Sequence, residues 1–194
     1  MMVMNPYPTP LGLFPGFIAR QTETLMIKEK GISLSGDSFT IKTVGGQPVF
    51  DVKGNFFSLS GRKVVTDIRG NHLFTIRKKL LALQSTYYAE GPAGNPILEV
   101  IGKFGFTTRK FVGRFISASG QKEDLRMTGD FFHTSAQICG NASRSPVAII
   151  ERDFFNMREF FLDKQTYAVT IAPNVDMAIV VAMCICLDER RTSG

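Results

Sequence analysis

The chain has 194 residues, of which 44% are hydrophobic and 21% charged, and its net charge is +6. That composition excludes a disordered or fibrous polypeptide and fits one domain, or at most two small ones, with a sizeable core. The basic excess is local: residues 62–126 carry twelve Lys/Arg against five Asp/Glu, whereas residues 127–194 are slightly acidic. Cys139, Cys184 and Cys186 do not suggest a disulfide framework. With no secretion signal they point to a reducing, cytoplasmic setting.

In chain order, residues 1–16 hold four prolines and no basic-then-apolar leader, so they read as a flexible N-terminal arm. A domain is expected from 17 to 190. QTETLMIKEK (21–30) could begin a strand or a short helix. An internal echo follows, in which SLSGDSFTIKTVGGQPVFDVK (33–53) resembles SLSGRKVVTDIRGNHLFTIR (58–77), with GNPILEV (94–100) a weaker third copy. Each unit reads as strand, tight turn, strand, with Gly46 and Gly70 supplying the positive φ of the turn. Alternation such as Phe39 and Ile41 before the first turn gives one face to a core and one to water. RKFVGRFISAS (109–119), PVAIIER (146–152) and QTYAVTI (165–171) are further strand candidates.

Met177 to Leu187 has no strongly polar side chain. As a helix it would rise roughly 16 Å, about half the hydrocarbon thickness of a bilayer, so no transmembrane segment is expected. Its β-branched residues suit a strand. Its length, and Asn174 as N-cap with Asp176 in the first turn, favour a helix over 174–187. A helix apolar on all faces must be wrapped by protein. A long antiparallel meander that closes into a barrel around it satisfies both elements, because closure removes the sheet edges.

The hairpin GDSFTIKTVGGQPVFDVKG, the following SLSGRKVVTDIRGNHLFTIRKK and the ending QTYAVTIAPNVDMAIVVAMCICLDE resemble the LURP-one-related family of the tubby C-terminal-like superfamily, and its fungal members most. The resemblance implies a closed antiparallel β-barrel of about twelve strands around a buried apolar C-terminal helix. It also implies an affinity for phosphoinositides, as tubby domains have, without a set of lipid-binding residues to carry over. The cysteine-rich and calcium-binding segments of phospholipid scramblases are not visible in this chain.

Chemistry is sparse. His72 lies in an expected hairpin turn, and His133 is six residues from Cys139, which on one strand would separate the two by about 20 Å. HExxH, CxxC, EF-hand, phosphate-loop and nucleophile-elbow motifs are all missing, so no enzyme, cofactor or metal is expected. Basic residues are the better lead. Arg62, Lys63, Arg77, Lys79, Arg109, Lys110 and Arg114 are the candidate ligand-binding surface, for phosphoinositide or acidic lipid headgroups. That would place the protein peripherally at the plasma membrane. An unknown protein partner is the alternative, which the resemblance, through plant members linked to pathogen defence, implies would act in stress or defence; nucleic acid is disfavoured because no recognition motif accompanies the charge. Surface charge discriminates: one concentrated basic groove favours lipid, a broad stripe nucleic acid, and an even scatter a protein partner.

Overall fold

A computed structural model describes residues 2–28, 38–54, 62–80, 82, 86–103, 110–130, 135–140, 146–152 and 166–192. Twelve strands follow a short 3-10 turn at Pro15–Phe17: β1 (Glu23–Lys28), β2 (Ser38–Thr43), β3 (Pro48–Gly54), β4 (Lys63–Asp67), β5 (His72–Lys78) and β6 (Thr86–Glu90), then β7 (Pro96–Lys103), β8 (Lys110–Ile116), β9 (Lys122–Gly129), β10 (Ser135–Gly140), β11 (Pro146–Glu151) and β12 (Thr166–Ile171). Each pairs antiparallel with its sequence neighbours, and β1 pairs with β12 to close the barrel. Within the segment 21–30, Glu23–Lys28 thus supplies a strand, and the closed meander is the expected one.

Four hairpins share one turn. In each, a glycine with φ between +78° and +83° (Gly46, Gly70, Gly94, Gly120) donates to the carbonyl three residues back. The residue bearing that carbonyl then donates to the carbonyl just after the glycine, as Thr43 does to Gln47. This is a type I turn ending in a left-handed glycine bulge, the usual three-residue hairpin loop. Register shifts beside the first three turns record the bulge. The sequence echo therefore marks every second hairpin of the barrel, and the turn persists at Gly120 after the echo itself has faded.

The barrel is filled by helix α1 (Met177–Thr192). Ala178 through Asp188 are all buried. Around them stand inward side chains of the strands, among them Ile41, Phe50, Phe74, Leu98, Leu125 and Ile150. Gly113 on β8 makes room for the helix, since a Cβ there would come 3.0 Å from Met183 Sδ. Each large apolar side chain moved from water into such packing contributes about 1.5–3 kcal/mol. The helix starts later than expected. Asp176, not Asn174, is the N-cap, its Oδ1 accepting from Ala178 N at 2.8 Å. Asn174 takes a left-handed turn conformation, φ 68°. The helix also runs five residues past Leu187.

The N-terminal arm differs from expectation. It is a docked strap, with Met4, Tyr7 and Leu11 buried. Its backbone bonds to the segment before the helix: Tyr7 N to Pro173 O, Leu11 N to Asn174 O, and Asp176 N to Leu11 O, each at 2.9 Å. Asp176 Oδ2 accepts from Leu13 N at 2.8 Å and from Phe14 N at 2.7 Å. Gly12 is required here, because a Cβ would come 2.0 Å from that of Asp176. One carboxylate thus caps the helix and holds the strap across the barrel mouth. Prolines suggested a loose segment, but apolar residues between them bury against the rim.

At the opposite end Tyr167 Oη donates to Asp188 Oδ2 at 2.8 Å, and the Arg152 guanidinium lies 4.8 Å from the Tyr167 ring centroid. Burial, reinforced by Asp188, pushes the Tyr167 hydroxyl well above its ordinary range.

Burial raises the Asp176 carboxyl from 3.8 to about 6, against the backbone N–H donors that hold it down. Its folded value exceeds the unfolded one, so the native state holds the proton more firmly. Asp176 therefore favours folding most below about pH 4, and that contribution, on the order of 3 kcal/mol, is lost as pH rises through about 6. Stability from denaturant melts between pH 4.5 and 7.5 should carry this downward component with rising pH. The slope should be missing in Asp176→Asn whatever that variant's baseline; identical slopes would contradict the account.

Candidate functional site

Strand alternation decides which cations reach the surface. On β5, Phe74 and Ile76 point inward, so Thr75 and Arg77 belong to the other face, and Lys79 follows just beyond the strand. On β8, Phe111 and Phe115 point inward and Arg114 outward. Pairing aligns Arg77 with Tyr88, Tyr88 with Glu99, Glu99 with Arg114 and Arg114 with Asp124. One transverse row of the outer face thus reads Arg, Tyr, Glu, Arg, Asp across β5 to β9.

Lys79 and Arg114 line an open groove of about 840 Å³ on this face. Its exposed apolar surface comes from Pro96, Ile97 and Ile116, and the buried Leu98 and Phe115, together with Leu13 of the strap, border it. Ile116 is 57% exposed, unusual for a large apolar side chain. The charged lining is Lys79, Arg114 and Lys122 against Glu99, Glu123 and Asp124, which balances to zero. Contacts within it are loose: Lys79 Nζ lies 3.8 Å from Glu99, and Arg114 Nε 3.8 Å from Asp124. Outside the groove, Arg77 Nε meets Glu90 at 2.7 Å, a true hydrogen bond.

Of the seven cations singled out in the sequence, Arg77, Lys79 and Arg114 share one face, and two of them share the groove. Arg62 is exposed just before β4. Lys63 is corrected: it is 2% exposed, and its Nζ sits 5.6 Å from the Phe39 ring centroid. It shares the inward parity of Val65 on β4, so it cannot belong to a basic surface. Arg109 lies outside the described residues, and Lys110 opens β8. Lys122 and the three carboxylates were missed, because they lie outside the basic runs, on β7 and β9, and meet Arg114 only through strand pairing.

The other chemical candidates stay apart from the groove. His72 opens β5 and its Nε2 lies 2.9 Å from Thr75 Oγ1. Cys139 is on β10, where partial burial raises its thiol. His133 lies outside the described residues. Among the described residues no group of three or more His, Cys, Asp or Glu is placed to hold a metal ion. Nor is any helix there long and apolar enough to cross a membrane.

Over residues 23–188 the chain matches the family profile described as LURP-one-related. It is 25% identical to Protein LURP-one-related 15 of Arabidopsis thaliana over 90% of this chain and 83% of that one. It is 30% identical to YxjI of Bacillus subtilis, over 84% and 91% respectively. A solved Arabidopsis thaliana structure aligns over 94% of this chain and 99% of its own at 14% identity, with a TM-score of 0.44.

The contrast between tight and loose ion pairs is measurable by double-mutant cycles. Arg77 with Glu90 should show a coupling of about 0.5–1 kcal/mol, and Arg114 with Asp124 less than about 0.3 kcal/mol. Equal couplings would mean that the groove cation is held by its carboxylate as firmly as Arg77 is.

Proposed function

Because the chain is a member of the LURP-one-related family, we propose that it is a non-enzymatic binding module whose working surface is the β5–β9 face, and that it meets acidic membrane surfaces peripherally there. The observation that carries this reading is the gathering of Lys79, Arg114 and Lys122 beside an exposed apolar floor. Each basic residue near an anionic surface contributes about 1 kcal/mol, but the three neighbouring carboxylates offset most of it, so the contact is weak, reversible and salt-sensitive and leans on the exposed apolar floor. Glu99, Glu123 and Asp124 stand among these cations, and a polyphosphate headgroup would be repelled by them as much as attracted. The reading therefore favours headgroups of single negative charge over a phosphoinositide-selective site.

A protein partner is the second reading, favoured by the same interleaving of charge and by Ile116. Closure of the barrel excludes strand addition as its mode, since neither β1 nor β12 offers a free edge. Flotation with liposomes separates the two. Vesicles containing phosphatidylserine should carry the protein at low salt and release most of it at physiological salt. Phosphatidylinositol bisphosphate at matched total charge should add nothing, and Lys79→Glu with Arg114→Glu should abolish flotation. If no vesicle carries the protein, the membrane reading falls and the protein partner takes its place. A marked preference for the bisphosphate would move the site away from this groove.

A further inference from the structure

We propose that the open groove across β6 to β9 binds one soluble amphipathic monoanion, an apolar chain or ring bearing a single carboxylate or sulfonate head. The site does not depend on a bilayer, so it stands apart from the membrane reading. Its volume, about 840 Å³, lies in the range of small-molecule sites, roughly 300–1,000 Å³. Such sites are mostly apolar with a few convergent polar groups; here the floor is apolar, six charged side chains rim it, and the groove is open to solvent. Cross-strand pairing places Ile116 opposite Lys122 and Arg114 opposite Asp124. One end of an apolar strip over Ile97 and Ile116 therefore meets a cationic corner.

The head position follows from hydrogen-bonding capacity. Arg114 is half-exposed, and the distance to Asp124 of 3.8 Å is too long for a hydrogen bond. Its planar fork of N–H donors matches a carboxylate bidentately. Lys122 forms no ion pair among the described residues. Arg77, bonded to Glu90 at 2.7 Å, has its Nε already engaged. Three carboxylates already offset three cations, so the lining offers a multivalent anion no net attraction, and the preference for a single anionic head rests on the unengaged donors of Arg114 and Lys122. The tail runs over Ile97 and Pro96 toward Leu13, and the strap becomes part of the site. Ala118 N donates to Gly12 O at 2.9 Å, tying the strap to the β8–β9 turn at that end.

The test is isothermal titration of the full chain with decanoate below its micellar concentration, without vesicles. One site per chain is expected, weakened at least tenfold by Arg114→Ala and lost in Ile97→Asp, with thermal melts verifying that both variants fold. Decyltrimethylammonium, with the same chain and the opposite charge, should bind at least tenfold more weakly, and inositol hexakisphosphate should not displace decanoate. Three results would each overturn the proposal: no decanoate binding, equal binding of the two head groups, or Arg114→Ala binding like the native chain. Because no membrane is present, success here with failed flotation leaves the pocket standing, and the reverse outcome removes the pocket alone.

Discussion

A helix with no polar face can exist in water only if something covers every side of it, and that requirement organises this molecule. The helix satisfies its interior backbone groups internally, and its apolar side chains meet a barrel whose every strand is paired on both sides. Among the described residues, the buried carboxylates of the helix region lie at its two ends. Asp176 caps the first turn and holds the strap. Asp188, twelve residues or about 18 Å further on, accepts from Tyr167. A filled lumen and a sheet without edges leave only the outer face and the rims for recognition, which is why the groove across β6 to β9 matters.

Asp176 links sequence ends that lie far apart. The strap residues Leu13 and Phe14 donate to it from more than 160 positions away, and the same strap borders the groove through Leu13. The helix cap, the closure of the barrel mouth and one wall of the candidate site are thus parts of one local arrangement. Its steric condition is a glycine at position 12.

Much of the fold was legible because its signals are local. The eleven-residue apolar run forces burial. Glycines spaced 24 residues apart mark hairpin turns whose geometry needs a left-handed residue. What depended on distant pairing was harder to read. The strap looked loose because prolines dominate it, while its partners sit 160 residues away. Asn174 looked like a cap because it is a good capping residue, but a left-handed turn there hands the role to Asp176. Lys63 shows the parity problem directly: a one-residue change of face separates a surface cation from a core one. The groove was half legible. Basic runs named Lys79 and Arg114, but Glu99 and Asp124 become their neighbours only when β7 and β9 are laid beside β8.

The central claim, that the helix fills a closed barrel, is tested most directly by the native thiols. Cys184 and Cys186 are buried at 0% and 1% exposure on the helix, whereas Cys139 is only partly buried on β10. Labelling with a small alkylating reagent, read by mass spectrometry of the peptides, separates the three sites. The account predicts that Cys184 and Cys186 react only at the rate of global unfolding and slow together as the protein is stabilised, while Cys139 reacts faster in the folded state. Labelling of the two helix thiols as fast as Cys139 under native conditions would contradict it.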